Sequence, residues 1–200
     1  MGTKGNQTKR QICTAAYSLF VQKGFKDVTM QDICQKTGLS RGGLYRHYSS
    51  TEQIFSEIIS ALMASQRNEF QDKIRQQIPA QQILKEVLDR YEKEMLDCDA
   101  SLSLAIYEFF SQPETASGEN SLFKQYLASK QMWMELLEYG IQTKAFRKTD
   151  PEAVFDLIIF SYQGVRMYSR MMPVDPSIPH RIVHQIKNLL LFTAEREDSL

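Results

Sequence analysis

Residues 29–48 read TMQDICQKTGLSRGGLYRHY, and this stretch decides the fold of the N-terminal part of the chain. Thr29 is a preferred helix N-cap residue, and Asp32 stands three positions later, where a capping-box partner belongs. The helix that begins there is predicted to end at Gly38, because glycine adopts the left-handed backbone of a helix C-terminus without strain. Ser40 then caps a second helix of about two turns. The stretch therefore predicts two short helices joined by a sharp turn.

Two short helices joined at a glycine form a helix-turn-helix, in which the second helix enters the major groove of DNA. The outer face of the second helix holds Arg41 and Arg46, whose guanidinium groups can reach guanine edges or phosphates. Gly42 and Gly43 each cost a helix about 1 kcal/mol relative to alanine, so we expect a gain elsewhere, namely close approach of the backbone to a DNA groove. Capped helices without a DNA role would show the same spacing, and that alternative stays open at this point.

Charge is distributed unevenly along the chain. Residues 1–51 contain eight lysines and arginines against two aspartates, a net charge of +6, whereas the whole chain has a net charge of zero. The remaining residues therefore carry −6. A basic N-terminal part on an acidic body suggests a segment that faces nucleic acid.

The rest of the chain shows apolar residues at three- and four-residue spacing, which predicts helices throughout. We expect an all-α chain of about nine helices, with a three-helix N-terminal domain at residues 6–66 and a six-helix domain at residues 67–200. A long helix is predicted to begin at the capping box around Ser50, and Asp150-Pro151 is a start signal for another helix. No alternation typical of strands is present.

Several classes of protein are disfavoured. No run of eighteen apolar residues predicts a membrane span, and residues 1–11 lack the apolar core of a signal peptide, so we expect a cytoplasmic location. Three scattered cysteines predict no disulfide framework. No nucleophile with a base partner or glycine-rich phosphate loop is found, so we predict no enzyme and no cofactor. His180 and His184 lie four apart but lack a third ligand, so no metal site is predicted.

The motifs of the first third of the chain resemble those of the TetR family of bacterial regulators. The resemblance is strongest over residues 6–66 and includes KGF at residues 23–25, the stretch at 29–48, and SSTEQIF at 49–55. It continues more loosely through LLEYGIQTKAFRKTDPEAV at 136–154. It implies a homodimer with a DNA-binding head of three helices, a ligand-binding body of six, and a dimer interface formed by the last two helices.

By position, the resemblance implies DNA contacts at Thr29, Ser40, Arg41, Gly42, Gly43, Tyr45, Arg46 and His47. The hydroxyl groups of Tyr48 and Thr51 are further candidates for phosphate contacts. The family often has lysines just after the aromatic residue that ends the third helix, whereas this chain has Ser49 and Thr51. The missing charge predicts weaker and less salt-dependent DNA binding than is usual in the family.

Aromatic and methionine residues of the body suit an adaptable apolar pocket, although each is also a natural core residue. The candidates for ligand contact are Tyr91, Met95, Tyr107, Phe110, Trp133 and Tyr162. The apolar stripes of the last two helices favour a four-helix dimer interface. The candidates for that interface are Phe155, Ile158, Ile159, Ile182, Ile186, Leu189 and Leu190.

These features together predict a one-component transcriptional regulator, a repressor that leaves a palindromic operator in double-stranded DNA when an apolar or amphipathic small molecule binds. Two alternatives are a helical ligand-binding or interaction module that has lost DNA binding, and a helical enzyme. A steep dependence of DNA affinity on salt would favour the regulator over the module.

Overall fold

The computed structural model describes residues 2–65, 69–97, 101–112 and 121–192, and every regular element in these ranges is an α-helix. The all-α prediction is confirmed. The described residues form ten helices, one more than expected, because the long helix predicted from Ser50 is described as two, with residues 66–68 outside the described part. In chain order they are α1 (Gly2–Lys23), α2 (Met30–Thr37), α3 (Arg41–Tyr45), α4 (Thr51–Ser65), α5 (Glu69–Arg75), α6 (Ala80–Glu94), α7 (Ser103–Phe110), α8 (Ser121–Gln142), α9 (Pro151–Met171) and α10 (Ile178–Leu190).

The chain divides into two compact units. The first unit comprises residues 1–66 and 99–124, and the second comprises residues 67–98 and 125–200. Sequence patterns predict a division at residue 66, but they give no sign that residues 99–124 belong with the N-terminal helices. None of the described helices combines the length and the apolar character needed to cross a lipid bilayer.

The core of the first unit is built around four phenylalanines. Phe20, Phe25, Phe55 and Phe109 are buried, and their neighbouring ring centroids lie 4.9–5.7 Å apart. Aromatic pairs at such distances contribute about 0.5–1.5 kcal/mol beyond the burial of their area. Because Phe109 belongs to α7, this helix is an integral part of the first unit, although it lies far from the other three rings in sequence.

The core of the second unit centres on α8. Trp133, Leu136 and Leu137 are buried there among apolar side chains of α6, α9 and α10. Asp150 caps α9 as predicted, since its carboxylate accepts hydrogen bonds from the N–H groups of Glu152 (3.0 Å) and Ala153 (3.4 Å). The start of α9 is therefore fixed by a local signal.

The prediction for the dimer interface needs correction at four positions. Phe155, Ile158, Ile186 and Leu190 are buried inside the second unit of a single chain. Ile159 and Ile182 are half-buried against the same core, and only Leu189 is exposed. The predicted stripes thus face inward, because a helical apolar stripe packs first against the core of its own subunit.

Candidate nucleic-acid interface

Helices α2 and α3 meet at Gly38, as the helix-turn-helix prediction requires. Gly38 has φ = 72°, and its N–H donates to the carbonyl oxygen of Cys34 at 2.9 Å. The side chains on the inner faces, Ile33 of α2 and Leu44 of α3, are fully buried in the core of the first unit. Their burial fixes both helices and leaves the opposite face of α3 in solvent.

The start of α2 is held by a complete capping box. The Thr29 hydroxyl accepts from the Asp32 N–H at 3.2 Å, and the Asp32 carboxylate accepts from the Thr29 N–H at 2.9 Å. Lys23 Nζ lies 2.8 Å from Asp32 Oδ1. The hydrogen bond from Lys23, followed by those from Thr29, holds the pKa of Asp32 well below its ordinary value. Thr29 therefore has a structural role in addition to its predicted place at the DNA.

The outer face of α3 is cationic. No acidic residue occurs between Asp32 and Glu52 in the sequence, and the guanidinium of Arg41 is oriented by a 3.0 Å hydrogen bond from Nη2 to Gln31 Oε1. Gln31 was not among the candidate residues, since a glutamine on an exposed helix face gives no sequence signal. The predicted DNA contacts that lie exposed in the first unit are Thr29, Ser40, Arg41, Gly42, Tyr45 and Arg46, with His47 and Thr51 half-buried.

The two adjacent glycines of α3 have different surroundings. A Cβ atom at Gly42 would meet nothing within 4 Å outside its own stretch of helix, so no internal packing explains a glycine there. Gly43, in contrast, is buried: its N–H donates to Ser40 Oγ at 3.1 Å, and an added Cβ would lie 3.2 Å from the same oxygen. Gly43 therefore does not lie on the outer face as predicted, because the N-cap of its own helix covers it.

Tyr48 also lies inside rather than on the outer face. It is only 1% exposed, and its hydroxyl lies 3.3 Å from the Sγ of Cys13 on α1. Burial raises the pKa of the Tyr48 phenol and of the Cys13 thiol. Lys9 Nζ lies 5.0 Å from the centre of the tyrosine ring. The prediction that Tyr48 donates to phosphate is corrected, because its hydroxyl is enclosed by α1.

The predicted ligand contacts fall into two groups. Tyr91, Trp133 and Tyr162 lie together in the second unit, with ring centroids 4.3 Å apart for Tyr91–Tyr162 and 6.1 Å for Tyr91–Trp133. Met95 is buried in the same core. The other two, Tyr107 and Phe110, are on α7 in the first unit and do not belong to this cluster.

A polar network borders the aromatic cluster of the second unit. The hydroxyl of Tyr162 donates to Glu94 Oε2 at 2.6 Å and accepts a hydrogen bond from Arg166. Burial, as the main cause, raises the pKa of Tyr162. Arg166 was missed at the level of the sequence, because it lies on the same face of α9 as Tyr162 but carries no motif of its own. The cluster thus combines apolar rings with one carboxylate and one guanidinium group.

Helix α9 has a second apolar stripe, which faces solvent. Leu157, Phe160, Tyr168 and Met171 are each more than half exposed, and they follow one another at helical spacing on the side away from the core. Leu189 and Phe192 are exposed near the end of the described chain. Sequence reasoning chose the inner stripe, although a helix that is apolar on two sides carries the signal for both.

The two histidines of α10 have protein partners. His180 Nδ1 lies 3.1 Å from Glu92 Oε1, and His184 Nδ1 lies 3.1 Å from Asn188 Nδ2. Within the described parts of the chain, no three histidine, cysteine, aspartate or glutamate side chains are grouped as metal ligands.

Comparison with known proteins agrees with this geometry. Residues 12–58 match the family model described as "Bacterial regulatory proteins, tetR family". The HTH-type transcriptional regulator YfiR of Bacillus subtilis is 29% identical over 76% of this chain and 75% of its own length. The HTH-type transcriptional repressor KstR2 of Rhodococcus jostii is 25% identical over 77% of this chain and 74% of its own length.

Solved structures show the same fold. A TetR transcription regulator from Haloarcula marismortui superposes with a TM-score of 0.71 at 18% identity, covering 92% of this chain and 96% of that one. The family model matches the helix-turn-helix part of the chain, and its relatives and fold likewise support a transcriptional regulator of the TetR family.

Proposed function

We propose that this regulator is a repressor, which binds a palindromic operator as a homodimer and leaves it when an apolar or amphipathic small molecule binds the second unit. Repression is supported by the similarity to KstR2, which is named a repressor. We infer a cytoplasmic location, because the proposed operator lies in chromosomal DNA.

The observation that carries the proposal is an exposed glycine beside exposed arginines, in a stretch of sequence without acidic residues. Gly42 is exposed and has room for a Cβ atom, so the lack of a side chain at this position serves no packing purpose inside the protein. An exposed helix position that breaks the local preference without internal gain is typical of a functional surface. With Arg41 and Arg46 on the same face, a nucleic-acid groove is the partner that fits a bare backbone flanked by two guanidinium groups.

We assign dimerisation to the exposed stripe of α9 rather than to the inner stripe. Monomeric proteins seldom leave a continuous row of large apolar side chains in water. Leu157, Phe160, Tyr168 and Met171 form such a row, and two copies placed around a twofold axis would cover each other's row. A dimer would present two copies of α3, which matches two half-sites about 34–36 Å apart in one operator.

We assign effector binding to the cluster of Tyr91, Met95, Trp133 and Tyr162. Its rings suit an apolar skeleton, and Glu94 and Arg166 offer partners for a polar group on the same molecule. Trp133 is the only tryptophan in the chain, so its fluorescence reports on this cluster alone. Screening a metabolite collection by Trp133 emission should find compounds whose effect weakens in Tyr162→Phe, which keeps the ring and loses the hydroxyl.

The experiment that tests the proposal is the selection of fragments from a genomic DNA pool by the purified full chain. Arg46→Ala is compared with Arg75→Ala, which removes the same side chain from an exposed position in the second unit. We expect the wild type and Arg75→Ala to recover the same few fragments, which share an inverted repeat. Arg46→Ala should recover none of them, or should recover them together with many unrelated fragments. Recovery of nothing above background at low salt would contradict DNA recognition and favour a helical module without it.

A further inference from the structure

The loop that follows α1 holds a carboxylate from far along the chain. Glu108 Oε2, on α7, accepts hydrogen bonds from the backbone N–H groups of Phe25 at 2.6 Å and Lys26 at 3.0 Å. Gly24, just before them, has φ = 80°. Successive N–H groups that follow a left-handed residue form a concave anion site, known as a nest. The nest at the end of α1 is thus filled by a side chain from 82 residues later in the sequence.

The fit around this carboxylate is close. A Cβ atom at Gly24 would lie 2.6 Å from Glu108 Oε2, so any other residue there would force the carboxylate to move. The next residue of α7, Phe109, packs its ring 5.0 Å from that of Phe25 and 4.9 Å from that of Phe55. Two consecutive residues of α7 therefore hold the loop, one by hydrogen bonds and one by ring packing.

This loop leads directly into the DNA-binding helices. Val28 is buried, and Thr29 is the N-cap of α2, so the position of residues 24–28 sets where α2 begins. Residues 99–124, which include α7, belong to the first unit. The residues that precede and follow them in the sequence, 67–98 and 125–200, belong to the second unit. Helix α7 is therefore packed against the DNA-binding head and joined on both sides to the other unit.

We propose that Glu108 is the positioning residue through which the second unit sets the DNA affinity of the first. A displacement of α7 moves the carboxylate, the carboxylate moves the loop at residues 24–26, and the loop moves α2 together with α3. The proposal rests on the proposed function and names the side chain that links its two activities. Coupling between two sites is reciprocal, so operator binding at α3 must also change the conformational equilibrium of the second unit.

Reciprocity allows a test without the effector. Amide hydrogen exchange is measured in the full chain, with and without an operator fragment from the genomic selection, on peptides from α6 and α8. In the wild type, we expect operator binding to change exchange in these peptides by about fivefold or more, the lower end of ordinary coupling. In Glu108→Ala the change should vanish while the fragment still binds. Glu138→Ala, which removes an exposed carboxylate from α8, should behave as the wild type.

Glu108→Gln keeps the shape of the side chain and one acceptor oxygen, so it should fold and show a reduced response. If Glu108→Ala does not fold, the exchange response of Glu108→Gln tests the proposal in its place. Gly24→Ala displaces the same carboxylate and should also reduce the exchange response of the second unit. The double variant with Glu108→Ala should therefore show about the same loss of response as Glu108→Ala alone. A response of the second unit that is equal in the wild type and both Glu108 variants would overturn the proposal. So would a wild type that binds the operator without any response. Failure of the wild type to bind any fragment would instead contradict the proposed function.

Discussion

The two units of this regulator expose opposite kinds of surface. The first unit presents Arg41, Tyr45 and Arg46 around an open glycine, with no acidic residue nearby in sequence. The second presents a row of large apolar side chains along α9. The former surface suits a charged, hydrated partner with a groove, and the latter suits another apolar surface. The comparison teaches that the proposed DNA binding and the proposed self-association rest on separate units, so that substitutions can abolish each one without the other.

The largest effect is expected from breaking the apolar surface. Phe160→Glu places a charge in the middle of the exposed row of α9 and should yield monomers. Because linked half-site binding contributes about 100-fold or more in affinity, operator binding should fall by a similar factor although α3 is intact. Analytical ultracentrifugation and operator titration measure both effects. Gln163→Glu adds the same charge to an exposed position of α9 outside the row, and it should leave both properties unchanged. A dimeric Phe160→Glu variant would show that subunits associate elsewhere.

The next effect concerns direct recognition by the first unit. Arg41→Ala should cost about 1–3 kcal/mol of operator affinity and relax the preference at one base of each half-site. Gln31→Ala removes only the hydrogen bond that orients Arg41, so it should affect the same base to a smaller degree. Binding to a library of single-base operator variants measures both. If the two substitutions relaxed the preference at different bases of the operator, Gln31 would act on the DNA independently of Arg41.

A smaller effect separates the two glycines. Gly42→Ala should stabilise the free protein by up to about 1 kcal/mol, because alanine favours helix and has room there, yet it should weaken operator binding. Gly43→Ala should give no such gain in stability, because its Cβ would press on the cap oxygen of Ser40. Thermal unfolding and operator titration on the same samples measure the pair. Undiminished operator affinity in Gly42→Ala would remove the main support for DNA contact at this face.

The smallest effect is a pH dependence of the first unit. The folded chain lowers the pKa of Asp32, so the stability from its carboxylate is complete above the unfolded pKa of about 4 and is lost as the pH falls below it. Asp32→Asn should therefore destabilise the protein by about 1 kcal/mol at pH 7, the usual size of a cap interaction, and by less at pH 3. Asp27→Asn, at an exposed neighbouring position, serves as the control. A deficit that stays constant with pH would contradict the assigned ion pair with Lys23.

Local signals in the sequence predicted the first unit well. The caps at Thr29 and Ser40 and the turn at Gly38 depend on residues within four positions of one another, and the structure has all three. Two residues were misplaced, because the helical pattern does not show which other groups cover them. The burial of Tyr48 depends on Cys13 of α1, and that of Gly43 depends on the Ser40 side chain folding back over it. A helical pattern tells which residues share a face, but it does not tell what covers that face.

Long-range relations explain the other differences. The contact between Glu108 and the loop after α1 joins residues 82 and 83 positions apart, so no local pattern predicts that α7 joins the first unit. In α9 the residues Phe155 and Leu157 are both apolar, and only packing shows that the former is buried and the latter exposed. Periodicity predicted the helix, whereas the structure was needed to show which of its two apolar sides is exposed.

The most direct test of the central claim is the salt dependence of operator affinity for the wild type and Arg46→Ala. Each phosphate neutralised by a cationic side chain steepens the fall of log K with log salt by about 0.9. If the outer face of α3 binds DNA, the wild type should show a steep straight line and Arg46→Ala a weaker affinity with a shallower slope. Equal affinities and slopes for both proteins, or an affinity that does not change with salt, would contradict DNA recognition through this face.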